Sequence, residues 1–548
     1  MTDQVHTSTV NSSASSLPVP WWKGAVIYQV YPRSYCDTDG DGIGDLQGIT
    51  AKLPYIASLG VDAIWLSPFF RSPMKDYGYD VADYCDVDPM FGTLEDFDDL
   101  VLKAQELGLR IIIDQVYSHT SDQHDWFEES RQDRTNPKAD WYVWADPKED
   151  GTPPNNWQSV FGGPAWEWDG RRQQYYLHNF LVSQPDLNLH NERVQDALLE
   201  TARFWLDRGV DGFRLDAINF AMHDRDLRDN PPSGLLFEKV SRPFDMQRQV
   251  FQRSQPEVPF FLKRVRAALD TSADTFSVAE VVGDDPIDEM KRFTAGGTHL
   301  HSAYSFDFLY AQTLTSGRVK RSLGEWTGED GEGWPSWAFC NHDAPRAVSR
   351  WAPPEQRERA AAVLLGLLLS LRGNAFIYQG EELGLPQAHV PFEHLKDPEA
   401  IANWPRTLGR DGARTPMPWR GDAINAGFTR GNPWLPVDPA HARLAVDLQE
   451  PDDQSTLSVA RALIALRRSL PALRSGSIKF LAAPDTIIAF VREAGNERVT
   501  CVFNCTDADI PFQPEAAGDM SLLATGEGTA HASDVPPKLA PWSFYWAK

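Results

Sequence analysis

The 548-residue chain is long enough for roughly three to four domains, or for one α/β barrel of about 250 residues with attachments. Its 42% hydrophobic and 24% charged content is that of an ordinary globular protein and excludes collagenous, disordered and small disulfide-stapled classes. A formal charge of -25, from 52 Lys and Arg against 77 Asp and Glu, repels phosphate backbones and anionic lipid headgroups, so neither nucleic acid nor a membrane is an expected partner.

Residues 1–20 are rich in Ser, Thr and Asn, lack a basic start and an apolar stretch, and read as a disordered polar tail rather than a secretory signal. From Val26 onward, short β-branched or aromatic runs alternate with helical patterns, the signature of βα units and a parallel sheet. Eight runs read as strands: 26–30, 63–67, 110–116, 212–217, 275–281, 302–308, 337–341 and 375–379. Eight such strands predict a closed (β/α)8 barrel. Ahead of the third, Thr93 and Asp96 make a capping-box-like helix start, Phe97, Leu100, Val101, Ala104 and Leu107 form one apolar face, and Gly108 ends the helix. Residues 118–187, rich in Trp, Asn, Gly and Pro, are too long for a plain connection and read as a small domain inserted after the third strand. The barrel then takes residues 21–117 and 188–474. A helix over 457–470 closes it, and alternating runs at 478–481, 487–492 and 499–504, separated by Pro484-Asp485 and Gly495-Asn496, predict an all-β, antiparallel sandwich domain over 475–548. The longest apolar stretch, 360–371, falls short of the ~20 residues that span a bilayer. Five cysteines without paired spacing fit a reducing, cytoplasmic compartment.

In such a barrel the active site forms where strands end at the C-terminal face. The fourth strand ends Gly212-Phe213-Arg214-Leu215-Asp216, the fifth Val278-Ala279-Glu280, and the seventh Asn341-His342-Asp343. Each carboxylate finishes an apolar run, His119 follows the third strand, and Arg214 stands one side-chain alternation from Asp216. Paired carboxylates without a nucleophilic Ser or Cys motif point to glycoside hydrolysis, in which one carboxylate attacks and a second, kept protonated, donates to the leaving oxygen. Arg214 is expected to keep Asp216 ionised, while negative neighbours and burial raise the pKa of Glu280.

These motifs resemble glycoside hydrolase family 13, the α-amylase family, over nearly the whole chain after the tail. The residues that carry the resemblance are Asp114-Gln115-Val116-Tyr117-Ser118-His119, Gly212-Phe213-Arg214-Leu215-Asp216, Ala279-Glu280-Val281 and Asn341-His342-Asp343. Gln184-Pro185-Asp186-Leu187-Asn188, Asp76-Tyr77-Gly78-Tyr79-Asp80 and Gly409-Arg410-Asp411-Gly412 resemble motifs of the oligo-1,6-glucosidase and α-glucosidase branch. The resemblance implies Asp216 as nucleophile, Glu280 as acid/base and Asp343 as a third carboxylate stabilising an oxocarbenium-like transition state. It implies Arg214, His119 and His342 as partners around the same sugar, Asp76 and Arg410 at its non-reducing end, and Tyr79, Phe161 and Phe180 as stacking walls. Gln115 stands where an aliphatic residue is commoner, and Ala279 where Gly is.

Ala217, after the nucleophile, is small where α-1,6-directed members have Val. The resemblance therefore implies an exo-acting, retaining α-glucosidase that prefers α-1,4 bonds in maltose and other short α-glucosides, with transglucosylation to acceptor hydroxyls. Alternatives on the same barrel are a sucrose-directed glucosyltransferase or isomerase, an oligo-1,6-glucosidase, and a non-catalytic member serving as a binding subunit. In the run Asp37-Thr38-Asp39-Gly40-Asp41-Gly42-Ile43-Gly44-Asp45, carboxylates at alternate positions with glycines between them form the pattern of a hard-cation loop. Structural Ca2+ held by Asp37, Asp39, Asp41, the Ile43 carbonyl and Asp45 is expected, with no organic cofactor, in a monomer or homodimer.

Overall fold

The structure is a computed structural model that describes residues 19–236, 240–324, 326, 332–407, 409–515, 518, 520–526, 528–529 and 534–548. The tail expected over 1–20 lies, up to residue 18, outside the described residues. Strands Val26–Val30, Ala63–Leu66, Arg110–Val116, Gly212–Asp216, Phe276–Val281, Ser302–Ser305, Trp334–Ala338 and Asn374–Tyr378 close into one parallel barrel, the last pairing with the first. They are apolar almost throughout because both faces are covered. Ile27, Ala63, Trp65, Ile112, Val278, Tyr304 and Phe376 fill the interior. The fourth and fifth strands approach so closely that a Cβ at Gly212 would lie 2.3 Å from the Phe276 carbonyl oxygen.

The outer helices follow their sequence signals. Thr93 accepts from the Asp96 amide at 3.2 Å while the Asp96 carboxylate accepts from the Thr93 amide at 2.8 Å, the reciprocal capping box that starts helix Leu94–Glu106. Helix Arg357–Ser370, apolar all round, is buried all round from Ala360 to Ser370 because it lies between the barrel and the C-terminal sheet. Gly366 makes that contact possible, since a Cβ there would stand 2.7 Å from the Phe544 ring.

Two strand ends differ from expectation. The sixth strand stops at Ser305, whose hydroxyl turns to the Asp307 amide and starts helix Phe306–Leu309. The seventh runs Trp334–Ala338 rather than 337–341. Pro335 argues by pattern against a strand, yet it sits near this strand's beginning, and Asn341-His342-Asp343 consequently occupy the loop beyond its end.

Between the third and fourth strands, Trp144–Ala145, Gln174–Leu177 and Trp166–Asp169 form a three-stranded antiparallel sheet. Its small core centres on Trp157 and Trp166, stacked with centroids 5.9 Å apart. After helix Thr456–Ser469 comes a six-stranded antiparallel sheet with the spatial order Ser477–Phe480, Ile487–Ala494, Glu497–Asn504, Ser543–Ala547, Leu522–Thr525, Gly528–Thr529. Alternate residues serve two cores. Ile488, Phe490, Phe503 and Phe544 face the barrel's helices, whereas Ile487, Ala489, Val502 and Tyr545 pack under Val535 and Leu539. All five thiols are unpaired. No helix among the described residues is long and apolar enough to cross a membrane.

Candidate active site

Three carboxylates converge on one guanidinium at the C-terminal end of the barrel. Arg214 is completely buried. Its Nη1 donates to Asp114 Oδ1 at 2.5 Å and Asp216 Oδ1 at 2.6 Å, its Nη2 donates to Glu280 Oε1, and its Nε donates to the Tyr304 hydroxyl at 3.0 Å. Tyr304 donates in turn to Glu280 Oε1 at 2.9 Å, and the Ala217 amide to Glu280 Oε2 at 3.2 Å. Ala217 holds a left-handed backbone with φ 38 and ψ 37, a conformation rare for a residue with a side chain and concentrated at functional sites. Burial pushes Asp216 and Glu280 each up to about 7, with Arg214 opposing and neighbouring carboxylates adding. Arg214 therefore does not single out Asp216 for ionisation as expected. It is shared among Asp114, Asp216 and Glu280, and burial pushes Asp114 up as well, to about 6.

A second ion-pair network seals the far end. Arg410 Nη2 donates to Asp76 Oδ1 at 2.9 Å and Asp397 Oδ1 at 2.7 Å, and its Nη1 lies 3.4 Å from Asp343 Oδ1. Arg414 donates to Asp343 Oδ1 at 2.6 Å and to the His342 carbonyl at 2.7 Å. Burial acts to raise Asp343, but His342, Arg410 and Arg414 outweigh it and hold its carboxyl well below the usual range. Because burial pushes His342 itself down to about 3, the two guanidiniums supply that charge at neutral pH. Asp76 also accepts from Gln184 Nε2 at 3.0 Å, and the same amide nitrogen is 3.1 Å from His119 Nε2. The motif around Gln184 thus joins the inserted segment to the site. The Asp80 carboxylate, accepting from the Lys75 and Asp76 amides and the Ser72 hydroxyl, fixes the loop that presents Asp76 and Tyr79.

The cavity between the two networks measures about 140 Å³, below the ~300–1,000 Å³ of common ligand pockets. Asp76, Tyr79, His119, Phe161, Phe180, Asp216, Glu280, Asp343 and Arg410 all line it. Arg214 and His342 do not. Expected against the sugar, they are fully buried behind the carboxylates, where His342 meets the Tyr79 hydroxyl at 2.6 Å and Gln29 at 2.8 Å. They position the groups that face the cavity. Phe180 stands at 4.9 Å from the His119 ring and edge-on to Phe161 at 5.9 Å. The sequence reading missed Arg242, Arg253, Glu399, Phe220, Phe244 and Tyr310 in the lining, and Asp397, Arg414 and Tyr304 behind it. Tyr304 carried a signal, since alternation along the sixth strand aims it into the barrel; the others come from connections without periodicity.

In the first loop, Asp37, Asp39 and Asp45 each bring a carboxylate oxygen within 4.8 Å of the others. Asp41, expected with them, stands outside this trio and accepts from the Ile43 amide at 2.7 Å. Asp37 accepts from the Gly40 and Gly42 amides at 2.7 and 2.9 Å and from Thr429, while Asp45 accepts from Thr38 and Gly48. The donor set is all oxygen, the kind hard divalent cations take.

Barrel, strand-end carboxylates and sealed cavity define a carbohydrate-active barrel enzyme. The α-amylase catalytic domain matches residues 29–476, and the chain belongs to that family, glycoside hydrolase family 13. It is 52% identical to a probable α-glucosidase of Rhizobium meliloti (strain 1021), over 98% of this chain and 100% of the relative, and 38% identical to an oligo-1,6-glucosidase of Heyndrickxia coagulans over 94% and 98%. Among solved structures, the α-glucosyl transfer enzyme XgtA superposes with a TM-score of 0.91 at 50% identity, covering 96% of this chain and 99% of that one. The trehalulose synthase MutB from Pseudomonas mesoacidophila MX-45 gives 0.87 at 33%, covering 97% and 100%. The protein is accordingly a glycosidase of the α-glucosidase and oligo-1,6-glucosidase branch.

Proposed function

We propose that the enzyme is a retaining, exo-acting α-glucosidase that prefers α-1,4 bonds in short α-glucosides and passes part of its glucosyl units to acceptor hydroxyls. The observation that carries this reading is the pairing of Asp216 and Glu280 on one guanidinium, inside a cavity closed by Arg410, Asp76 and Asp397. A pocket of this size with one sealed end takes a terminal ring and no more. Asp216 attacks the anomeric carbon. Glu280 protonates the leaving oxygen, then takes the proton of the incoming water or alcohol as the glucosyl–Asp216 bond breaks. A glycosidic oxygen bound beside Glu280 is a hydrogen-bond acceptor, so substrate favours the protonated form of Glu280, while Arg214 favours the ionised form of Asp216. Asp343, held anionic by Arg410 and Arg414, stabilises positive charge on the ring.

The small Ala217, in the lining next to Asp216, supports the α-1,4 preference, and the transfer activity named for a relative at 50% identity supports transglucosylation. Asp37, Asp39 and Asp45 would hold a structural Ca2+, which neutralises three crowded carboxylates and ties the loop down. Five unpaired thiols support a reducing, cytoplasmic setting.

Proton NMR of anomeric signals on mixing enzyme separately with maltose, isomaltose, sucrose and trehalose tests the reading. Early α-glucose from maltose, faster than from isomaltose, is the expected result. Early β-glucose would refute the covalent route, and a rearranged disaccharide as the main product from sucrose would favour the isomerase reading, to which the likeness to a trehalulose synthase lends weight.

A further inference from the structure

The cavity adjoins a wider hollow of about 1000 Å³ that shares Phe244 and Arg253 with it. The chain carries a net charge of -25, and among the described residues this hollow is lined by Arg248, Arg253 and Arg406 with Asp245 and Asp284, while Asp285, Asp288 and Glu289 join Asp284 in a further hollow that Arg253 also lines. Arg242, at the boundary, is matched by Asp245 and Glu399, each at 3.2 Å. Arg253 is matched less closely. Its side chain is 12% exposed, and its ion pair is with Asp284 at 3.6 Å, a carboxylate that is itself 60% exposed and also 3.6 Å from Arg248, with Glu289 and Asp245 acting on it from further off. No hydrogen bond leads from its guanidinium to any described residue. Its position is nonetheless set, since it lies over the Phe220 and Phe244 rings at 5.7 and 5.8 Å. The result is an oriented, nearly buried fork of five N–H donors at the junction between the reacting carboxylates and the hollow through which an acceptor arrives. Planar forks of this kind pair best with carboxylates.

We propose that Arg253 is the recognition group of an acceptor site for hydroxyl-bearing carboxylates of sugar-acid size, and that the enzyme glucosylates a hydroxyl of such acids. This rests on the transfer reading above. In the transfer step the acceptor oxygen forms the new bond to the anomeric carbon, the glucosyl–Asp216 ester bond breaks, Asp216 returns to carboxylate and Glu280 takes the hydroxyl proton. No redox partner is needed.

Gluconate and glucitol differ in a terminal carboxylate against a hydroxymethyl group, and are the probes. With maltose as donor and both acceptors at equal concentration, the expected result is ~tenfold preference for gluconate, as one charge-assisted contact provides, declining as NaCl is raised. In Arg253→Gln the preference should fall to about parity. Because the readout is a ratio within one preparation, loss of folded protein cancels. Equal use of both acceptors by the wild type, or a preference for gluconate that survives in Arg253→Gln, overturns the proposal. α-Glucosyl fluoride separates the two levels. Fluoride release in the presence of gluconate with free glucose as the sole product refutes the acid-acceptor site and leaves the hydrolytic reading standing. No fluoride release and no glucose from maltose sinks both.

Discussion

Replacing Glu280 by Gln should cost activity and raise stability, and the amounts follow from its surroundings. Glu280 is 4% exposed, and burial lifts its pKa from 4.5 to about 7. At ~1.36 kcal/mol per unit, ionising it in the folded protein costs about 3 kcal/mol relative to the unfolded chain. The sign follows from proton counting. Between pH 4.5 and 7 the folded state keeps a proton that the unfolded state has lost, so this contribution to stability is complete below pH 4.5 and declines until the pH passes 7. Gln imitates the protonated acid at every pH and still accepts from Arg214 and Tyr304, but its amide nitrogen cannot accept from the Ala217 amide. The variant should therefore be more stable than the wild type at pH 8 by about 2 kcal/mol, the ionisation cost less ~1 kcal/mol for that bond, with the gain gone by pH 5. Thermal and urea unfolding of both proteins at pH 5, 6.5 and 8 measure it. Maltose turnover should fall ~10²–10⁴-fold for loss of the acid, and the first release of fluoride from α-glucosyl fluoride much less, because fluoride leaves without a proton, although later turnovers stay slow for want of the base. A variant less stable than wild type at pH 8, or a gap independent of pH, would show that the environment of Glu280 is not the desolvated one described.

Arg414→Met removes the closest cation on Asp343, leaving a carboxylate that is 17% exposed with Arg410 at 3.4 Å as its remaining guanidinium partner. Stability should drop by ~1–3 kcal/mol, less than for a fully buried pair, and the acid limb of the kcat/KM profile should move to higher pH as Asp343 loses the influence that holds its pKa down; an unmoved limb counts against Asp343 acting as the anion. Ala217→Val places a β-branched side chain at φ 38, so the protein should lose ~1–3 kcal/mol while the isomaltose-to-maltose ratio of kcat/KM rises; an unchanged ratio removes Ala217 from the linkage argument. Chelation of dialysed enzyme should lower its melting temperature, and Ca2+ at 100 times its Kd should restore ~2.7 kcal/mol, an effect that Asp37→Asn should largely abolish; equal melting curves with and without chelator would show that the loop holds no cation.

The barrel was legible because each of its strands is a short apolar run answered by a helix with one apolar face, a rhythm that burial on two sides imposes. The strand-end carboxylates stood out for the same reason, since Asp216 and Glu280 each interrupt a run that is otherwise apolar. The seventh strand begins at Trp334 and includes Pro335, and pattern alone does not tell a proline at a strand's beginning from one that breaks it. What stayed hidden is the supporting charge. Asp397, Arg242 and Arg253 come from long connections where nothing periodic fixes which way a side chain points, and their roles arise from contacts across 13 to 157 residues of sequence. The even sharing of Arg214 was hidden too, because alternation along one strand locates Asp216 but says nothing of how far Glu280 reaches from the next.

Arg410 ties Asp76, from the loop after the second barrel strand, to Asp397, from the connection after the eighth. One guanidinium thus staples two margins of the site across 334 residues of chain. The shape of the cavity at this end is a product of tertiary assembly rather than of any one loop. A change at Arg410 would loosen both margins together, so the site's outline and the folding of the whole barrel are secured by the same bond network.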